Sequence, residues 1–169
     1  MRSTLAALVM LAAGCVQAPP VPEPTPGVPL VGTWRLLNIV AVRANGDRIP
    51  SRFGKSPSGY ILYDRTGHMA VQIMSSPWPA FANPEKPTPQ ELEAVFNGYV
   101  AYAGTYDYDA TTRTVTHHVQ MSVDPDDLGK NFRRTVELEG DRVTLTVQQY
   151  RLNGEQVMLR LQWERVRER

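Results

Sequence analysis

From Val31 onward the chain alternates apolar and polar positions in short runs rich in β-branched and aromatic residues, broken at regular intervals by glycine, asparagine and aspartate. Period-two alternation of that kind belongs to half-buried strands rather than helices. Strands are predicted at about 31–43, 58–64, 67–74, 99–108, 113–121, 131–139, 141–150 and 156–166. The connections at Arg65-Thr66-Gly67, Asp109-Ala110-Thr111-Thr112, Gly140-Asp141 and Asn153-Gly154 carry tight-turn chemistry, so neighbours in sequence become neighbours in a sheet. One stretch departs from the pattern. Thr88-Pro89-Gln90-Glu91 has an N-cap threonine, proline at the first helical position and glutamate at the third, which predicts a short helix through Phe96 that covers or plugs one end. Eight antiparallel strands leave two exposed edges unless the sheet closes, and closure into an up-and-down barrel removes both. The expected fold is therefore all-β, an eight-stranded antiparallel up-and-down barrel with one short helix; an open sandwich is the structural alternative.

The first 29 residues follow a different logic. One positive charge at Arg2 precedes the apolar run Thr4 to Ala13, too short for a transmembrane helix of about 20 residues and of the right length for a signal peptide. Leu11-Ala12-Ala13-Gly14-Cys15 resembles the bacterial lipoprotein signal, in which small residues precede a cysteine that is acylated before cleavage. Cys15 is the only cysteine in the chain, and Val16 rather than aspartate follows it, which by the same resemblance points to the outer membrane, facing the periplasm. Six prolines between Ala18 and Pro29 remove backbone donors and favour an extended spacer. The organisation expected is a signal at 1–14, an acylated cysteine and tether at 15–29, and one domain at 30–169. Lysine and arginine total 18 against 17 acidic residues, and loss of Arg2 leaves a balanced chain. That balance argues against nucleic acid, whose phosphates call for a basic excess.

Gly32-Thr33-Trp34 in the first strand and Trp163-Glu164-Arg165 in the last resemble the paired signatures of the lipocalin group, with Arg165 packed across Trp34 where the barrel closes. A cation over an indole stabilises by about 0.5–2 kcal/mol, so the contact makes physical sense without the name. The likeness extends through Pro57 to Tyr63, Gly67-His68-Met69, Tyr102 to Tyr106, Val115 to Val119 and Arg133-Arg134, an ordered set similar to the bacterial and fungal lipocalin-like domain family. The resemblance implies a fold; it implies no general ligand or activity.

Strand parity selects the candidate site. In 115–121, Val115, Val119 and Met121 carry His117 inward and send His118 out; in 131–139, Phe132, Val136 and Leu138 carry Arg134 inward and leave Arg133 outside. Val100, Tyr102, Tyr106 and Tyr108 share a face with Gly104, whose missing side chain leaves room. The ligand-binding candidates are His117, Arg134, Tyr102, Tyr106 and Tyr60: an apolar pocket with a few convergent polar groups. A structural reading competes for each, because a buried arginine or histidine also serves as a hydrogen-bonded core element. His117 and His118 cannot share a metal ion, since adjacent strand residues face opposite ways. Asp124-Pro125-Asp126-Asp127 does not match a calcium loop, and no catalytic motif stands out, so neither metal nor cofactor is expected. The function expected is non-enzymatic: a lipid-anchored cell-envelope barrel holding a small hydrophobic or amphipathic, anionic molecule. Two alternatives stay open, an isomerase or cyclase using the lumenal His, Arg and Tyr, and a filled barrel with a structural or interaction role.

Overall fold

The computed structural model describes residues 28–49, 51–152 and 154–167. The leader, Cys15 and the tether up to residue 27 lie outside the described residues. The elements are β1 (Gly32–Val42), β2 (Arg48–Ile49), β3 (Ser58–Tyr63), β4 (His68–Met74), α1 (Pro89–Asn97), β5 (Tyr99–Asp109), β6 (Thr114–Ser122), β7 (Asn131–Glu139), β8 (Arg142–Leu152) and β9 (Glu155–Arg165). Every strand pairs antiparallel with its sequence neighbour from β3 to β9, and β1 pairs with both β3 and β9, which closes an eight-stranded barrel. The two-residue β2 adds a short flap to the far end of β1 and has no counterpart in the sequence expectation.

Closure rests on the expected pair. Trp34 and Arg165 are direct cross-strand partners, with the guanidinium carbon 4.0 Å from the ring centroid. Arg165 also donates from Nη1 to the Val31 carbonyl at 2.7 Å and from Nη2 to the Pro29 carbonyl at 2.8 Å, and the Trp34 indole donates to the Leu30 carbonyl at 2.7 Å. Leu30 and Trp34 are fully buried, so the chain entering β1 seals one pole of the barrel. That pole also carries the tight turns at 64–67, 110–113 and 140–141. The opposite pole carries the longer connections at 43–57, 75–98 and 123–130.

The core lies inside the barrel, formed by the inward residues of every long strand, among them Ile61, Tyr63, Val71, Val115, Leu145 and Trp163. Helix α1 has the predicted capping box, Thr88 accepting from Glu91 N–H and Glu91 accepting from Thr88 N–H, but it plugs nothing. None of its residues is buried, and it packs only against β5, the strand that follows it.

Register shifts interrupt the β1–β9, β5–β6 and β8–β9 ladders, and the one in β6 re-aims a side chain. At the β5–β6 pairing, Gly104 opposes Val119 and Ala103 opposes Met121, so Gln120 is the extra residue. Beyond it Met121 turns outward and becomes exposed, contrary to the expectation of simple alternation. Leu138 also stands exposed, although its strand parity points it inward. It pairs with Val143, itself buried in the core, within two residues of the tight turn that starts at Gly140.

Candidate functional site

The strands bring His117 (β6), Tyr102 (β5), Tyr63 (β3) and Arg134 (β7) together inside the barrel. Arg134 Nη2 donates to the Tyr102 hydroxyl at 3.1 Å; Tyr102 Oη lies 2.9 Å from His117 Nδ1, and Tyr63 Oη lies 2.7 Å from His117 Nε2. A neutral imidazole offers one donor and one acceptor. One of the two tyrosine hydroxyls therefore accepts from an imidazole N–H while the other donates to the remaining ring nitrogen. His117 is fully buried, and its basicity is held well below the usual histidine value, first by burial and then by the nearby Arg134 and His118 charges. Burial likewise pushes the Tyr63 hydroxyl well above its ordinary value and raises that of Tyr102. The tyrosines are therefore neutral hydrogen-bonding groups at neutral pH.

Aromatic packing holds this line in place. Tyr102 meets Phe132 edge-on at 5.4 Å between centroids, and the Arg134 guanidinium carbon lies 5.3 Å from the Phe132 ring centre. Tyr63 meets Tyr106 edge-on at 4.8 Å. Partly buried Val147 and Leu159, cross-strand partners on β8 and β9, pack against the same core. The β7–β8 ladder stops at Thr135 opposite Thr146, so Asn131 to Arg134 and Val147 to Leu152 have no strand partner across that seam. A side-chain bond bridges it, from Gln148 Nε2 to Thr135 Oγ1 at 3.3 Å. Among the described residues no carboxylate lies within ion-pair distance of Arg134, whereas Arg35, Arg43, Arg160, Arg165 and Arg167 all have one.

The remaining candidates are placed differently. Tyr106 is buried, but its hydroxyl donates to the Asp64 carbonyl at 2.9 Å rather than joining His117. Tyr60 is corrected outright: it stands on the outer face, half exposed, because Ile61 and Tyr63 take the inward positions of β3. The lumenal tyrosine of that strand is Tyr63, which sequence reasoning missed. Both parities of Ser58 to Tyr63 carry one tyrosine and one aliphatic residue, so the run itself held no signal to choose. Gly104 does not leave room for a ligand either. A Cβ there would lie 1.9 Å from the His118 carbonyl oxygen, because the bulged β6 backbone already fills the space.

His118 faces out, as parity predicts, and both its nitrogens meet acceptors at 2.6 Å, Asp107 Oδ2 and Asn131 Oδ1. Those bonds raise its pKa above the usual value, the Asp107 contact first. Among the described residues no three His, Cys, Asp or Glu side chains stand close enough to hold a metal ion.

No curated protein matches this chain. The lipocalin-like domain family matches residues 31–166, from the strand that carries Trp34 to the one that carries Arg165. Over that whole span, with the barrel closed as the family requires, the chain belongs to the lipocalin-like domain family.

Proposed function

We propose that this is a non-enzymatic, lipid-anchored binding protein that holds a small amphipathic molecule beside the unpaired β7–β8 seam of its barrel, the anionic head on Arg134 and Tyr102 and the tail against Phe132, Val147 and Leu159. A lipocalin-like barrel supports a small-molecule binding role at the coarse level. The observation that carries the finer reading is the Arg134 guanidinium: partly buried, bonded to a neutral hydroxyl, and without a carboxylate partner among the described residues. A half-buried cation left in that state favours an incoming anion. The unpaired β7–β8 seam beside it supports an approach for the tail. The interior is packed with core side chains on both sides of His117, Phe53 and Ile73 among them, so the molecule would lie at the β7–β8 seam beside Arg134 rather than deep in the lumen. His117 is fully buried with both nitrogens bonded to tyrosine hydroxyls, which supports its role as part of the hydrogen-bonded core beside Arg134.

The test uses strand parity. With dansyl-undecanoic acid as the probe, Arg134→Ala is expected to weaken binding by about 1.5–3 kcal/mol, the range for a lost charge-assisted hydrogen bond, while Arg133→Ala changes it little. Circular dichroism and a cooperative melt establish that both variants fold, and Arg134→Gln supplies a milder control that keeps donors without charge. Equal losses at Arg133 and Arg134, or intact binding in folded Arg134→Ala, would remove Arg134 from the site. The packed interior favours a second reading, a filled barrel with a structural or interaction role, and that reading gains if the wild-type chain binds no amphiphile.

The anchor belongs to the same proposal, on the strength of the Leu11 to Cys15 resemblance. Two or more acyl chains on Cys15 would hold the domain at the bacterial outer membrane, facing the periplasm. Cys15→Ser is expected to abolish labelling by a fatty-acid analogue and to release the protein from the membrane fraction. Unchanged labelling defeats the anchor without touching the Arg134 test.

A further inference from the structure

The β7–β8 seam exposes backbone as well as side chains. A bond from Val136 N–H to the Arg113 carbonyl at 2.7 Å and another from Val119 N–H to the Lys130 carbonyl at 3.0 Å set the phase of β7: its even-numbered residues address β6. The N–H and C=O of one strand residue point to the same neighbour, and successive residues alternate. Asn131 and Arg133 therefore turn their backbone groups toward the seam, where the ladder between β7 and β8 no longer runs. It resumes only at Thr135 opposite Thr146. Across the seam β8 is bulged between Val147 and Tyr150, so its own phase slips there too. Residues 131 to 134 span about 10 Å at the usual rise of a strand. Arg133, Arg134 and Arg151 belong to the two bordering segments, and among the described residues none of them has a carboxylate within ion-pair distance.

We propose, building on the Arg134 reading above, that the ligand of this site is a short extended peptide with a free carboxyl terminus, which adds as a strand to the Asn131–Arg133 edge of β7 and sets its carboxylate on Arg134. Backbone chemistry selects that class of molecule. An alkyl tail laid along the seam would strip water from the N–H and C=O groups of Asn131 and Arg133 and return no hydrogen bond. A peptide strand brings a donor and an acceptor for each, which is how exposed strand edges take partners.

The direction of the added strand follows from the position of Arg134. It stands one residue before Thr135, so the carboxylate lies at the closed end of the seam and the peptide enters from the pole of the longer connections, parallel to β7. Alternate side chains then face opposite ways. Those turned inward meet Phe132 and Val147, which pack on the core, and the one between them faces out beside Arg133, where a carboxylate suits it.

Two dansyl probes presented to the full chain separate strand addition from simple amphiphile binding. Dansyl-leucyl-glutamyl-leucine and dansyl-undecanoic acid share a fluorophore and a terminal carboxylate, but only the first carries a peptide backbone. The peptide is expected to bind more tightly than the fatty acid and to lose about tenfold in affinity when both its amide nitrogens are methylated. Amidation of its carboxyl end, or Arg134→Ala in the protein, is expected to cost at least about tenfold. Amide exchange followed by NMR reads the edge itself. With the peptide bound, the Asn131 and Arg133 N–H groups are expected to exchange at least about tenfold more slowly, while those of Phe132 and Arg134, which address β6, are protected with or without it. A methylated peptide that binds as well as the parent, a parent no tighter than the fatty acid, or unchanged exchange at Asn131 and Arg133 overturns strand addition. If dansyl-undecanoic acid still binds through Arg134 in that case, the amphiphile reading stands without the peptide. Binding of neither probe defeats both.

Discussion

Trp34→Ala is expected to lower the stability of the folded chain by about 3–5 kcal/mol, the range for deleting a large buried aromatic side chain. The ring is fully buried, so its loss leaves a cavity that rigid neighbours refill only in part. Two further interactions go with it: the indole hydrogen bond to the Leu30 carbonyl and the guanidinium of Arg165 stacked 4.0 Å away. Arg165 is also the donor that fixes Pro29 and Val31, so the substitution loosens both the segment sealing this pole and the first-to-last strand seam. Urea unfolding monitored by circular dichroism measures the loss. Trp34→Phe serves as the graded control, keeping much of the apolar volume while removing the N–H donor, and should fall between the two. A loss below about 1 kcal/mol for Trp34→Ala would mean that closure does not depend on this residue, contrary to what such burial normally implies.

Acid is expected to destabilise the fold through His117. In the folded chain its imidazole stays neutral well below the usual range, because burial comes first and the Arg134 charge second in opposing a proton. In the unfolded chain the same group protonates near pH 6.5. Below that value the unfolded state binds the extra proton, so His117 withdraws about 1.4 kcal/mol of stability for each pH unit until the folded imidazole itself becomes charged. His118 acts with the opposite sign. Its pKa is raised in the fold, so the stability it adds is present below the unfolded value and fades as pH rises through the folded one. Its exposure keeps that contribution small. Urea midpoints measured from neutral pH down to about pH 5 should fall more steeply in the wild-type chain than in His117→Gln, which has no proton to gain. Side-chain nitrogen spectra should show His117 as a single neutral tautomer while His118 titrates above the normal range. Equal acid slopes in the two proteins would show that His117 does not govern this part of the curve.

The parts of this molecule that could be read from its sequence are those set by period and by paired chemistry. Eight alternating runs separated by turn residues lead directly to the closed barrel, and Trp34 with Arg165 foretold which strands meet. Parity separated His117 from His118 and Arg134 from Arg133, because the neighbouring valines gave each run one clearly apolar face. It failed where both faces are apolar: Tyr60 and Leu62 are as hydrophobic as Ile61 and Tyr63, and a one-residue choice sends a tyrosine to the wrong side of the wall. It failed again at Met121, because a bulge leaves no mark in local periodicity. Gly104 was noticed as a missing side chain but read as space for a ligand, when the crowding comes from a carbonyl on the adjacent strand. A contact of that kind depends on register, and register is a property of two strands at once.

The polypeptide enters the barrel at the pole that Leu30 seals, and β1 then runs along β9 from Trp34 opposite Arg165 to Val42 opposite Met158, with one bulge between Leu36 and Asn38. A pull on the segment preceding Val28 would therefore act along the axis of β1. It would load the ladder to β9 lengthwise, so that many cross-strand bonds resist together instead of parting one after another. The guanidinium that grips the Pro29 and Val31 carbonyls lies first in the path of that force. A barrel held by its leading end would thus be attached where sliding is hardest, and drag on the domain would be spread along the β1–β9 seam before it reached the pole of the longer connections.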